Sequence, residues 1–160
     1  SVITSFAYTH YKNKDLENEA ANEVFTKAFQ NNNAGKIQKF ENWMKEKQDD
    51  KNYFFLINNE TTIPDFNLFD ILDFYVEFLQ YYNFATDKNK KNIFNELGYP
   101  NISKFYNNFI QLPKMQKYLN SIFYTLPYTN KSARFGSGIK GDTWNHTNQV
   151  DETPVEIIIN

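Results

Sequence analysis

The chain contains no cysteine, which excludes a disulfide framework, thiolate chemistry and a cysteine-based zinc site. It has no run of eighteen apolar residues, so no membrane span is expected, and no secretory signal peptide opens it. Excess charge is missing too: 17 Lys and Arg stand against 19 Asp and Glu, for a net charge of −2 and a pI near 5.7. A nucleic-acid binder would show a basic face, so no nucleic-acid partner is expected. The 2 histidines, His10 and His146, lie in different contexts without metal-ligand spacing, and no metal is expected. Gly-x-Ser-x-Gly, phosphate-loop and dinucleotide fingerprints are absent.

What is present is aromatic: 16 Phe and 11 Tyr among 160 residues, with 41% of the chain hydrophobic. A chain of this length forms one ordinary domain. Heavy use of Asn, Lys, Phe, Tyr and Ile points to an AT-rich genome, and Asn31-Asn32-Asn33 reads as a tolerated loop insertion. Helical spacing dominates. Ile3, Ala7 and Tyr11 share a face at the end of a first helix. A second helix starts at Asn13 or Asp15 and runs to about Gln30, with Leu16, Ala20, Val24, Phe25 and Ala28 on one side and Glu19 and Glu23 solvated. Residues Gly35 to Lys47 repeat the pattern through Ile37, Phe40, Trp43 and Met44. Further helices are expected at Ile63 to about Asn83, Asp87 to Leu97 with a stop at Gly98, Ile102 to Gln111, and Pro113 to about Phe123. The fold class is therefore all-α, a helical bundle over residues 1–136. The tail over 137–160 reads either as disordered or as an extended segment that docks on a partner through Ile139, Trp144 and the β-prone run Val155 to Ile159.

The most specific local pattern is Thr62-Ile63-Pro64-Asp65. It is a capping box, in which Thr62 can accept from the Asp65 amide while the Asp65 carboxylate reaches back to the Thr62 amide. Pro64 sits in the first turn, where its missing N–H breaks no helical bond. Beyond it the sequence is apolar on nearly every side through Leu79, which predicts a buried central helix.

This box, the phrase Phe69-Asp70-Ile71-Leu72-Asp73, the entry Tyr99-Pro100-Asn101-Ile102-Ser103-Lys104-Phe105 and the closing Leu126-Pro127-Tyr128 resemble the all-α C-terminal domain of cytosolic glutathione transferases. The mu class is the most similar. The resemblance spans roughly Tyr8 to Gly136. Residues Thr86 to Leu97 depart from it as a longer, more charged insertion, and Gly136 to Asn160 run past the family's usual end. The family's thiol-activating hydroxyl and most glutathione contacts lie in an N-terminal thioredoxin-like domain, which this chain does not resemble. No cofactor is therefore expected in this chain, and glutathione only if that domain is joined to it. The resemblance implies a pocket for an apolar electrophile formed by Ile3, Ala7, Tyr11, Tyr128 and Thr129, with Tyr11 as a hydrogen-bond donor to developing charge.

Two functional readings follow. One is a non-catalytic structural or interaction subunit, with protein partners in a large complex or a homodimer. The other is the electrophile-binding half of a mu-like glutathione transferase, since the chain begins at Ser1 rather than Met and a segment upstream is expected. Either places it in a reducing intracellular compartment, the cytosol or an organelle after presequence removal. Asp65, Asp70 and Asp73 invite an acid–base or metal reading, but a cap explains Asp65 and backbone or hydroxyl partners would satisfy a buried Asp70. Lys88-Asn89-Lys90-Lys91 reads as the solvated face of a helix end. Sequons at Asn59, Asn101, Asn130 and Asn145 are expected by chance in so Asn-rich a chain.

Overall fold

A computed structural model describes residues 14–30, 35–51, 55–56, 59–87 and 89–125. Helix α1 covers Lys14–Phe25 and continues as a π-helical turn, Thr26–Gln30. Then come α2 (Lys36–Lys51), α3 (Ile63–Tyr81), the single turn α4 (Ile93–Glu96), α5 (Pro100–Ile110), α6 (Pro113–Leu119) and a 3₁₀ turn, Ile122–Thr125. Among the described residues there is no strand, and no helix is long and apolar enough to cross a membrane. The all-α expectation stands. The apolar side of α1 buries Ala20 and Val24, and the π turn continues it with Ala28, while Glu19 and Glu23 stay in water, as the spacing requires.

Helix α3 divides into two halves. From Leu72 to Gln80 no residue is exposed, and Leu72, Val76, Phe78 and Leu79 are wholly enclosed. Its first half buries only one side, through Asp65, Leu68 and Phe69. The predicted all-round burial therefore holds for the second half and fails for the first. At the C-terminal end Asn83 adopts φ 56°. The amide of Phe84 bonds the Leu79 carbonyl at 2.8 Å and that of Asn83 bonds Gln80 at 3.2 Å. This is the paired closure of a Schellman cap, with Asn tolerating the left-handed conformation. Helix α4 ends the same way on Gly98 at φ 86°, through Tyr99 to Phe94 at 2.8 Å and Gly98 to Asn95 at 3.1 Å.

The core is built largely of rings. Phe69 stacks on Tyr106 and Phe109 at centroid distances of 5.5 and 4.8 Å, and Phe55 meets Phe105 and Phe109 edge-on. A second cluster joins α1 to the end of α3, where Phe25 lies flat on Phe84 at 4.4 Å. Offset and edge-on arrangements like these add to area burial.

The helix expected from Asp87 to Leu97 shrinks to the one turn of α4. The amide of Asn89 bonds Asp87 Oδ1 at 2.7 Å and that of Lys91 bonds Asn89 Oδ1 at 3.1 Å, so short polar side chains offer the backbone an alternative to helix. Glu96 closes the loop by accepting from the Thr86 hydroxyl and amide at 2.6 and 3.0 Å and from the Asp87 amide at 3.1 Å. The Thr86 hydroxyl first, then these amides, hold the Glu96 carboxyl below its ordinary value. The Asn92 side chain and the Asn89 amide do the same to Asp87. A carboxylate whose folded value is depressed contributes stability above its unfolded value and loses it as pH falls through the folded one. The Thr86 and Asp87 amide resonances should thus hold steady through the ordinary glutamate range and move only at lower pH. Movement centred on the ordinary glutamate value would show that Glu96 does not clamp the loop.

Candidate interaction site

The start of α3 is positioned by Asp65, which is fully buried. Its Oδ2 accepts from the Thr62 amide at 2.7 Å and the Thr62 hydroxyl at 2.5 Å. The Asp65 amide meets the Thr62 carbonyl at 3.0 Å. The reciprocal box of Thr62 and Asp65 is present, although the hydroxyl gives its proton to the carboxylate. Oδ1 of Asp65 does something the local pattern does not encode, accepting from the buried Leu56 amide at 2.7 Å. One carboxylate thus fixes both the helix start and the preceding loop.

This anchoring leaves an apolar strip in water. Ile63 is 78% exposed, Phe66 48% and Ile71 50%. Ile63, Asn67 and Ile71 follow one another at intervals of four and so line one face, about 12 Å long at 1.5 Å per residue. Phe66 turns one ring edge toward Phe109 at 5.0 Å. Asp70, which could have been buried, is exposed and places one negative charge beside Ile71.

The second buried carboxylate of α3 is Asp73. It accepts from the Tyr106 hydroxyl at 2.6 Å and, with both oxygens, from the Tyr124 hydroxyl at 3.0 Å. Lys90 donates to Tyr124 at 3.2 Å and pairs with Glu77. Lys90 is therefore half-buried, and the solvated basic face expected at Lys88–Lys91 does not include it. Burial, then the Asp73 charge, pushes the Tyr124 phenol above its ordinary value, so it stays a donor. Burial alone would lower Lys90, but Glu77 and Tyr124 outweigh it and hold the ammonium charged. The chain joins α3, α5, the 90–92 turn and the 3₁₀ turn, which is the geometry of an anchor rather than of an acid–base pair. Among the described residues no group of three His, Asp or Glu could hold a metal.

On α2, Phe40 and Trp43 are 39% and 36% exposed, whereas Ile37 and Met44 are buried. The expected single apolar side is in fact two. The buried stripe runs Ile37, Glu41, Met44, and the outer pair, with Lys36, Lys39 and Leu56, lines an open apolar groove of about 410 Å³. Glu41 was missed from sequence. It accepts from the Asn101 amide at 3.0 Å, the Asn101 side chain at 2.7 Å and the Ile102 amide at 2.9 Å. The signal available was its place between two buried apolar residues, facing a Tyr-Pro-Asn entry with unpaired amides.

Of the residues implicated in electrophile binding, Ile3, Ala7, Tyr11, Tyr128 and Thr129 all lie outside the described residues, as do the two histidines and the tail. The described residues bring together Asp65, Thr62, Leu56 and the apolar strip instead. No curated protein and no solved structure matches the chain. The family model described as glutathione S-transferase, C-terminal domain, matches residues 2–122. With its central helix, box and aromatic bundle in place, the chain belongs to the glutathione S-transferase C-terminal domain family.

Proposed function

We propose that this domain acts as a non-catalytic interaction subunit of a larger protein assembly, docking through the first half of α3. The observation that carries this reading is the exposure of Ile63, Phe66 and Ile71 on the helix whose second half is the centre of the core. Scattered single apolar residues on a surface need no explanation, but three within about two and a half turns of one helix, interrupted on that face by Asn67, form a strip. Its single charge, Asp70, would select a partner offering a donor or a cation.

A second reading is the electrophile-binding half of a mu-like glutathione transferase. Family membership and the phrase Phe69–Asp73 favour it, and the same strip would then seat the glutathione-binding domain. One pair of measurements separates the two. The chain purified under native conditions from its source should run in an assembly heavier than a monomer. It should not accelerate conjugation of glutathione to an aromatic electrophile. The double variant Ile63→Glu, Ile71→Glu should release a monomer with its thermal midpoint within a few degrees of the parent, because both sites are solvent-facing. A native monomer, or one that conjugates, would contradict the interaction reading.

A further inference from the structure

Between Lys51 and Lys88 the sequence holds no Lys, Arg or His, while its acids are Glu60, Asp65, Asp70, Asp73, Glu77 and Asp87. Helix α3 lies wholly inside this run. Two of its carboxylates are buried on uncharged donors: Asp65 accepts from two amides and a hydroxyl, and Asp73 from two tyrosine hydroxyls. Glu77 pairs with Lys90, a cation brought in from beyond the run. The carboxylate of Asp70 is different. It is exposed and has neither a hydrogen bond nor an ion pair among the described residues.

The relief around Asp70 is that of a seat for a helix. Ile63, Asn67 and Ile71 form one row at intervals of four, and Phe66, Asp70 and the half-buried Phe74 form the adjacent row. The furrow between two such rows receives the ridge of a second helix. No strand occurs among the described residues, so the strip offers no sheet edge on which an extended partner could pair.

We propose that the partner covers this strip with a cationic amphipathic helix, an inference that rests on docking through the first half of α3. Its apolar residues, at intervals of three and four, would cover Ile63, Phe66 and Ile71, and a Lys or Arg beside them would meet Asp70. A second copy presenting the same strip fits less well. A two-fold contact would set one cation-free surface against another and oppose their Asp70 charges.

Benzoylphenylalanine at position 67 stands between Ile63 and Ile71 and within one turn of Asp70. After irradiation in a native extract, the adduct is cleaved at glutamate and the linked peptide is sequenced. That peptide should be apolar at intervals of three and four, with Lys and Arg in excess over acids. Adding Asp70→Asn should lower adduct yield about two- to fivefold, the range of one surface charge contact. Asp70→Lys should lower it about tenfold or more, because like charges are then opposed. Both variants should keep the thermal midpoint within about two degrees of the parent, since the side chain is exposed. An acidic or neutral linked peptide, or a yield indifferent to Asp70→Lys, would overturn the cationic helix while leaving docking through the strip intact. A linked peptide from this chain's own sequence would overturn it in favour of self-contact. Absence of any adduct at position 67 would overturn the helix and the docking together.

Discussion

Asp65→Ala is expected to destabilise the domain by about 3–4 kcal/mol, lowering the thermal midpoint by about 10 °C. Loss of a helix cap alone costs about 1–2 kcal/mol. The structure adds a second loss, because the buried Leu56 amide donates to the same carboxylate. A buried donor left without its acceptor costs about 1–3 kcal/mol more, and each kcal/mol moves the midpoint of a domain this size by about 3 °C. Asp65→Asn keeps the shape but loses the charge and one acceptor, so it should fall between the parent and the alanine variant. Urea unfolding followed by far-ultraviolet circular dichroism reads these differences. A cost near 1 kcal/mol for alanine would mean that the Leu56 contact adds nothing.

The second large effect is expected at Glu41. Helix α5 begins with Pro100, which has no amide to satisfy. The Asn101 and Ile102 amides go to Glu41, and the Ser103 amide bonds the Tyr99 carbonyl at 2.9 Å. Every first-turn donor is thus accounted for, two of them by a residue 60 and 61 positions away. A negative charge there also complements the positive end of the helix. Glu41→Ala removes all three bonds and strands the buried Ile102 amide, at about 3 kcal/mol. Glu41→Asp is one methylene short of the helix and should recover little, while Glu41→Gln keeps one acceptor and should recover part. Against a total stability of about 5–15 kcal/mol, the alanine variant should be plainly marginal. Unfolding unchanged to within about 0.5 kcal/mol would show that water replaces Glu41 at no cost.

These two carboxylates show what was legible beforehand and why. Asp65 acts within three residues of Thr62, so its spacing to a threonine and a proline carries the whole pattern. Its hold on Leu56, nine positions back, has no such spacing. Glu41 looks like one more charged residue on a helical surface, because its partners lie in another helix. The period of α2 showed apolar residues but not which of two faces would be covered, and Phe40 and Trp43 went to the outer one. Asp70 and Asp73 were likewise indistinguishable as a pair. The partners of Asp73, Tyr106 and Tyr124, are 33 and 51 positions away. The helix start at Pro113 and the stop at Gly98 agree with the structure, whereas α5 begins at Pro100, two residues before the expected Ile102. Boundaries were read poorly at Thr86–Leu97, where Asp and Asn side chains captured the backbone.

The first half of α3 carries the proposed docking, and a photoreactive benzoylphenylalanine at position 67 probes it most directly. Asn67 is exposed between Ile63 and Ile71, and the exposed Lys114 on α6 gives a control position remote from the strip in sequence. On irradiation of cells making the full chain, position 67 should yield a discrete heavier adduct with another protein, while position 114 yields none. Adducts of equal yield at both positions, or none at position 67, would contradict the assignment of that strip as the seat of a partner.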